Sequence, residues 1–213
     1  MKVSEVICQT MRLVGRSDAA EAIEAAAAAA EVVDGAEQNQ TDGGESVTEA
    51  AEAPVLPDEV KRLKRAFLTY MNAVLDELAR GYFPLDTEEE MSSESGVYSF
   101  ADFLKSPLKI NRVTDGQNPV EWRIFPNYLQ TKARKITVFY EYAPPVLGED
   151  DEFFYPVFAV GARLVGYGMA AEYFLVSGDG AGYAAWENKY RGEIENLLSK
   201  SAVKERIPPR RWI

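Results

Sequence analysis

Apolar residues recur every three or four positions in several stretches of the chain. Val60, Leu63, Phe67, Met71, Val74 and Leu78, flanked by Leu68 and Leu75, form the clearest series. That spacing predicts an amphipathic helix. Pro57 and Asp58 suit its first turn, and Gly81 suits its end. Val3, Val6, Ile7, Met11 and Val14 predict a short opening helix, with Ser4 placed to cap it and Gly15 to stop it. Tyr183, Trp186, Tyr190, Ile194 and Leu197 mark the stripe of a last helix. Between Phe153 and Val176, apolar and small residues face almost every direction. This predicts a helix over residues 152–177, buried within the subunit or between assembled subunits. The acidic run Glu149-Asp150-Asp151-Glu152 precedes it, and Pro156 is tolerable only in its first turn. Gly161, Gly166 and Gly168 allow another helix to approach it closely.

From Tyr82 to Pro144 the period falls to two. Leu108, Ile110 and Arg112 alternate, as do Val120, Trp122 and Ile124, and Ile136, Val138 and Tyr140. These are half-buried strand patterns. Asp115-Gly116 signals a hairpin between the first two, and Tyr128–Gln130 gives a further short strand. The expected fold is α+β: a mainly helical core of three longer helices plus a short N-terminal helix, with a small antiparallel β-sheet inserted between helices.

Two segments interrupt this scheme. Residues 18–33 are Ala-rich, with six alanines from Ala25 to Ala30. Alanine favours helix but offers little area to bury, which predicts a marginal helix or spacer. Residues 34–55 are rich in Gly and Glu, and Val47 and Val55 are their only large aliphatic residues. That composition cannot offset the entropy of ordering. The expected organisation is therefore an N-terminal helix (1–16), an Ala-rich and acidic insertion or linker (17–55), a body (56–200) holding the β insert at 82–144, and an extended basic tail (201–213). Pro208-Pro209 keeps the tail out of a helix.

Charge sharpens the division. Residues 1–60 hold three basic and thirteen acidic residues, −10 of the total −11, which leaves −1 for the rest. A body so nearly neutral lacks the clustered cations of sequence-independent nucleic-acid binding. There is no histidine and one cysteine, Cys8. Ser-His-Asp triads, Cys-His dyads and the usual zinc sites are thereby excluded. Cys8 reads as a small buried hydrophobe in a reducing compartment. The opening residues carry no signal-peptide pattern and no stretch is long and apolar enough to span a membrane, so a cytoplasmic origin is expected.

The remaining candidate chemistry is thin. Gly178-Asp179-Gly180-Ala181-Gly182 follows a helix rather than a strand and lacks a following Lys-Ser/Thr, so it reads as a helix–helix turn and not a phosphate loop. Asp86, Glu88, Glu89, Glu90 and Glu94 would need Gly at the sixth position and Glu at the twelfth to form a calcium loop; Met91 and Val97 stand there. A solvated acidic loop is expected instead. Arg163 and Glu172, on an otherwise apolar helix, predict structural ion pairing within or between subunits rather than a catalytic carboxylate. Glu187 and Glu195 read as a solvated helix face. Phe153, Phe154, Tyr155 and Phe158 read as core or interface packing. No cofactor or metal is expected.

The order of parts resembles a known family. The opening helix starts Val3-Ser4-Glu5-Val6-Ile7 and runs to Leu13-Val14-Gly15. A second helix carries Asn72-Ala73-Val74-Leu75-Asp76-Glu77-Leu78. The strand insert ends Val138-Phe139-Tyr140-Glu141-Tyr142-Ala143-Pro144. Then come Gly166-Tyr167-Gly168-Met169-Ala170-Ala171-Glu172-Tyr173, Trp186-Glu187-Asn188-Lys189-Tyr190 and a final Arg210-Arg211-Trp212. Over residues 1–16 and 56–213 this resembles the head–tail connector (adaptor) proteins of tailed bacteriophages and prophages; residues 17–55 do not share the pattern. The resemblance implies a non-enzymatic subunit of a ring, commonly twelve-fold, that docks under the portal protein and extends the DNA channel. DNA would pass without specific binding, and the next neck or tail component would bind the far side. The protein would be made in the bacterial host cytoplasm and carried in the virion neck, away from any membrane. Arg206, Arg210, Arg211 and Trp212 are then the expected partner anchor, since Trp and Arg dominate binding hot spots. Phe154, Phe158, Gly161, Gly168, Trp186 and Tyr190 are the expected subunit-packing residues. Two other classes compete: a prophage-encoded binding or regulatory module, and a carboxylate-dependent hydrolase using Glu121 and Glu141.

Overall fold

The computed structural model describes residues 1–37, 56–116, 118–157 and 160–202, the side chains of 30–37 and 201–202 excepted. Among the described residues the fold is α+β, with five α-helices and two small antiparallel sheets. It divides into two compact units: a helical unit of Met1–Asn72, Leu147–Tyr155 and Val160–Ile213, and a β unit of Ala73–Val146 with Pro156–Ala159.

The helical unit opens with α1, Val3–Leu13, which buries Val3, Val6, Ile7, Cys8, Thr10 and Met11. Ser4 does not cap it. The cap falls at Lys2, whose backbone N–H donates to the Glu5 carboxylate at 3.1 Å. Gly15, at φ +79°, ends the helix: its N–H donates to the Arg12 carbonyl, and that of Arg16 to the Met11 carbonyl. Helix α2 spans Ser17–Glu37, so the insertion expected at 17–55 is helical over its first 21 residues. Its first turns bury Ala19, Ala20 and Ile23, and small side chains at that seam let it lie close to α1. The Cys8 thiol reaches the Ala20 carbonyl at 3.8 Å. Residues 38–55 lie outside the described residues.

Helix α3, Asp58–Gly81, has the predicted limits, and Phe67, Met71, Val74, Leu75 and Leu78 are buried along its stripe. The helix expected at 152–177 is shorter: α4 begins at Ala162 and ends at Ser177. Residues 151–153 instead pair with the N-terminus. Val3 donates to the Asp151 carbonyl at 2.9 Å and Phe153 to that of Met1 at 2.9 Å. Pro156 has no N–H to continue a helical ladder and biases the residue before it toward extended geometry. Helix α4 buries Leu164, Val165, Met169, Ala170 and Ala171, but Leu175 and Val176 in its last turn are exposed. It is buried along one part of its length and not all round.

Helix α5 runs Gly180–Ala202 and pairs with α4 as a hairpin. The turn is short because Gly178 takes a left-handed φ of +79° and Asp179 caps the next helix, accepting from the backbone of Ala181 at 3.1 Å and Gly182 at 2.9 Å. The expected helix–helix turn is what stands there. Since α5 reaches Ala202, the tail expected from 201 begins no earlier than 203.

The β unit holds two sheets where one was expected. The larger has the order β1-β7-β3-β4, with β1 Leu85–Ser92, β3 Pro107–Asp115, β4 Asn118–Pro119 and β7 Lys135–Tyr142. The smaller has the order β2-β6-β5, with β2 Val97–Ser99, β5 Trp122–Phe125 and β6 Tyr128–Thr131. The alternation in β7 holds: Ile136, Val138, Tyr140 and Tyr142 are buried. That in β3 does not, because register shifts after Pro107 and Ile110 turn Val113 inward and leave Arg112 outside. The acidic run at 86–90 is not a loop but most of β1. An end strand tolerates such charge on its outer row.

Candidate functional site

Of the residues expected to anchor a partner, Arg206, Arg210, Arg211 and Trp212 lie outside the described residues, as does Phe158. The others scatter within the helical unit. Phe154 is 74% exposed in the segment that pairs with the N-terminus. Gly161 is the N-cap of α4, and Gly168 is buried within that helix. Tyr190 is buried on α5.

Trp186 belongs to a surface strip built by both helices of the hairpin. Arg163 donates from Nε to the Tyr167 hydroxyl at 2.8 Å, one turn along α4. Tyr167 and Trp186 meet with ring centroids 5.7 Å apart, and the Lys189 ammonium sits 3.8 Å above the Trp186 ring. Each junction is a cation–π or aromatic contact. The strip therefore presents Arg, Tyr, Trp and Lys on a rigid pair of helices. Within the chain Arg163 is taken by Tyr167. Glu172 instead lies half-buried near Tyr70, whose hydroxyl pKa is raised first by burial and then by that negative charge. Glu187 is half-buried and paired with Arg191, whereas Glu195 is exposed. The i, i+4 spacing of Arg163 and Tyr167 and the i, i+3 spacing of Trp186 and Lys189 are legible in sequence. The contact between the two pairs is not.

The β unit carries a half-buried polar network. Glu89, on the inward row of β1, accepts from the Tyr140 hydroxyl at 2.9 Å and from the backbone N–H of Leu104 at 3.1 Å. Burial, then the hydrogen bond and negative charge of Glu89, push the Tyr140 pKa up to about 12. Phe103 packs edge-on to Tyr140 at 5.0 Å, and Lys105 lies 3.8 Å over the Tyr142 ring. The loop is thus fastened on both sides of Leu104, whose side chain is 87% exposed.

An open cleft of about 1110 Å³ lies in the same unit, lined in part by Asp115, Glu121, Trp122, Arg123, Gln130 and Lys132. Glu121 stands there alone of the two carboxylates considered for hydrolysis. Glu141 is on β7, paired with Lys109 at 3.0 Å. Among the described residues, no three His, Cys, Asp or Glu side chains are grouped to hold a metal ion, and no helix is long and apolar enough to cross a membrane. No family model matches the chain, and no curated protein sequence matches it.

Proposed function

We propose that this chain is a structural subunit of a head–tail connector ring in a tailed bacteriophage or prophage. Copies stand side by side beneath the portal protein, commonly twelve to a ring, and extend the DNA channel toward the next neck or tail component. The protein is made in the host cytoplasm and remains in the virion. The observation that carries this reading is the order of parts: an opening helix, a long helix, an inserted β unit, a helix hairpin and a basic segment after it. The strip Arg163–Tyr167–Trp186–Lys189 supports it, because Trp, Tyr and Arg are the residues in which binding energy concentrates. The near-neutral charge after residue 60 supports it as well, since the twenty Lys and Arg there are balanced by twenty-one Asp and Glu and leave no net attraction for DNA phosphates.

The test is electron microscopy of the full chain, alone and mixed with the portal protein of the same phage or prophage. Rings on the portal are expected, and Trp186→Ala should weaken them while leaving the helical fold intact by circular dichroism. A protein that stays monomeric with and without portal, and loses nothing when residues 201–213 are deleted, overturns the proposal.

A further inference from the structure

Strand β1 is an end strand. One edge pairs with β7 along all eight residues, Leu85 to Ser92. The other receives no backbone hydrogen bond among the described residues. Its outer row is acidic: Asp86, Glu88 and Glu90 are exposed, while Thr87, Glu89 and Met91 between them are half-buried. Glu90 has Lys135 at 3.0 Å, and Asp86 receives the Asn111 amide at 3.4 Å. Glu88 has no ion pair or hydrogen bond among the described residues.

Such an edge resists pairing with a copy of itself, because carboxylates would face carboxylates. It favours an extended strand carrying cations instead. The chain supplies one directly after α5. Residues 203–213 read Val-Lys-Glu-Arg-Ile-Pro-Pro-Arg-Arg-Trp-Ile, four cations against one carboxylate. Lys204 and Arg206 are two positions apart, so an extended backbone puts them on one side, roughly 7 Å from each other. Glu88 and Glu90, or Asp86 and Glu88, have that same spacing. Pro208 and Pro209 have no N–H to give and would end the pairing after Ile207.

We propose that β1 receives residues 203–207 of a second copy as a fifth strand of its sheet, with Lys204 and Arg206 facing the Asp86–Glu88–Glu90 row. The ring reading enters only in supplying the second copy. The acidic outer row then selects a neighbour's tail over a neighbour's β1, so that contacts run head to tail from one subunit to the next rather than closing into two-fold pairs.

The experiment uses the full chain with Cys8→Ala. One preparation carries Glu88→Cys, a second carries Arg206→Cys, and the two are mixed under mild oxidation. A disulfide-linked dimer should form in the mixture at least about tenfold above a control mixture of Asp102→Cys with Arg206→Cys. In a separate series without cysteines, Glu88→Arg should weaken self-association about tenfold, the size expected for reversing one cross-strand charge pair. Mixing Glu88→Arg with copies carrying Arg206→Glu should restore it. A linked band no stronger than the control overturns the proposal. So does a link formed only inside a chain bearing both cysteines, or only to added portal protein. Rings in micrographs without the Glu88–Arg206 link would leave the connector reading standing and remove this one. Linked open chains that never close on the portal would do the reverse.

Discussion

The helical unit and the β unit handle their buried polar groups and their close backbone approaches in different ways. Along the seam of α1 with α4 in the helical unit the solutions are local and soft. Thr10 returns its hydroxyl to the Val6 carbonyl one turn back, at 2.9 Å. A Cβ on Gly166 would meet only that Thr10 hydroxyl and a Leu13 methyl, side-chain atoms that can move. In the β unit the solutions are distant and stiff. Glu89 is tied to Tyr140, 51 residues away. A Cβ on Gly96, at φ +69°, would lie 2.2 Å from the Thr131 backbone oxygen, which its own ladder holds in place. Helices complete their hydrogen bonds within themselves and leave packing as the variable. A sheet unit depends on partners that only the fold delivers.

Four substitutions press on this contrast, from the largest expected effect to the smallest. Phe67→Ala empties a fully buried site stacked on Tyr173 at 5.4 Å and should cost about 4 kcal/mol in urea unfolding. A change below about 1 kcal/mol would mean that the helical core does not rest on this contact. Gly96→Ala combines a left-handed backbone with a clash against main chain, and about 3 kcal/mol is expected. A wild-type melting curve would show that the β unit is not stiff there.

Tyr140→Phe removes one of the donors held by Glu89 and should cost about 1.5 kcal/mol at neutral pH. It carries a second signature. The folded-state pKa of Tyr140, about 12, lies above that of an exposed tyrosine. Folding therefore favours the neutral phenol. That contribution is whole below pH 10 and is lost as pH rises from about 10 to 12. The variant should show a smaller alkaline loss than the parent, measured as the urea midpoint across that range. Gly166→Ala should change stability by less than about 1 kcal/mol. Its gain in helix propensity offsets a small displacement of Thr10. A loss as large as that of Gly96→Ala would dissolve the contrast between the units.

What was legible followed from period. The stripe from Val60 to Leu78 located α3, and the alternation from Ile136 to Tyr140 located β7. In both, a single row of side chains enters one core. Helix α2 was harder to read, because three buried positions, Ala19, Ala20 and Ile23, make a seam too slight to stand out among exposed alanines. Strand β1 was hidden by its charge: Glu88 and Glu90 face water, and Glu89, on the opposite row, is accommodated by the Tyr140 hydroxyl and the Leu104 N–H. The start of α4 was misplaced because an apolar run looks the same in a buried helix and in a segment paired to the N-terminus. For the hairpin strip, the sequence places Trp186 on the stripe of the last helix, whereas its contacts with Tyr167 and Lys189 and the Arg163–Tyr167 bond belong to the fold.

The sequence by itself determined the helix stripes, the α+β class, the Gly-rich turn between the last two helices and the absence of histidine chemistry, because each depends on composition or on neighbours a few positions apart. Only the tertiary structure decided that the β region splits into two sheets, that an acidic run is an end strand, and that Glu89 meets Tyr140. Those outcomes depend on pairings between residues tens of positions apart, where a bulge of one residue reverses which face a side chain meets.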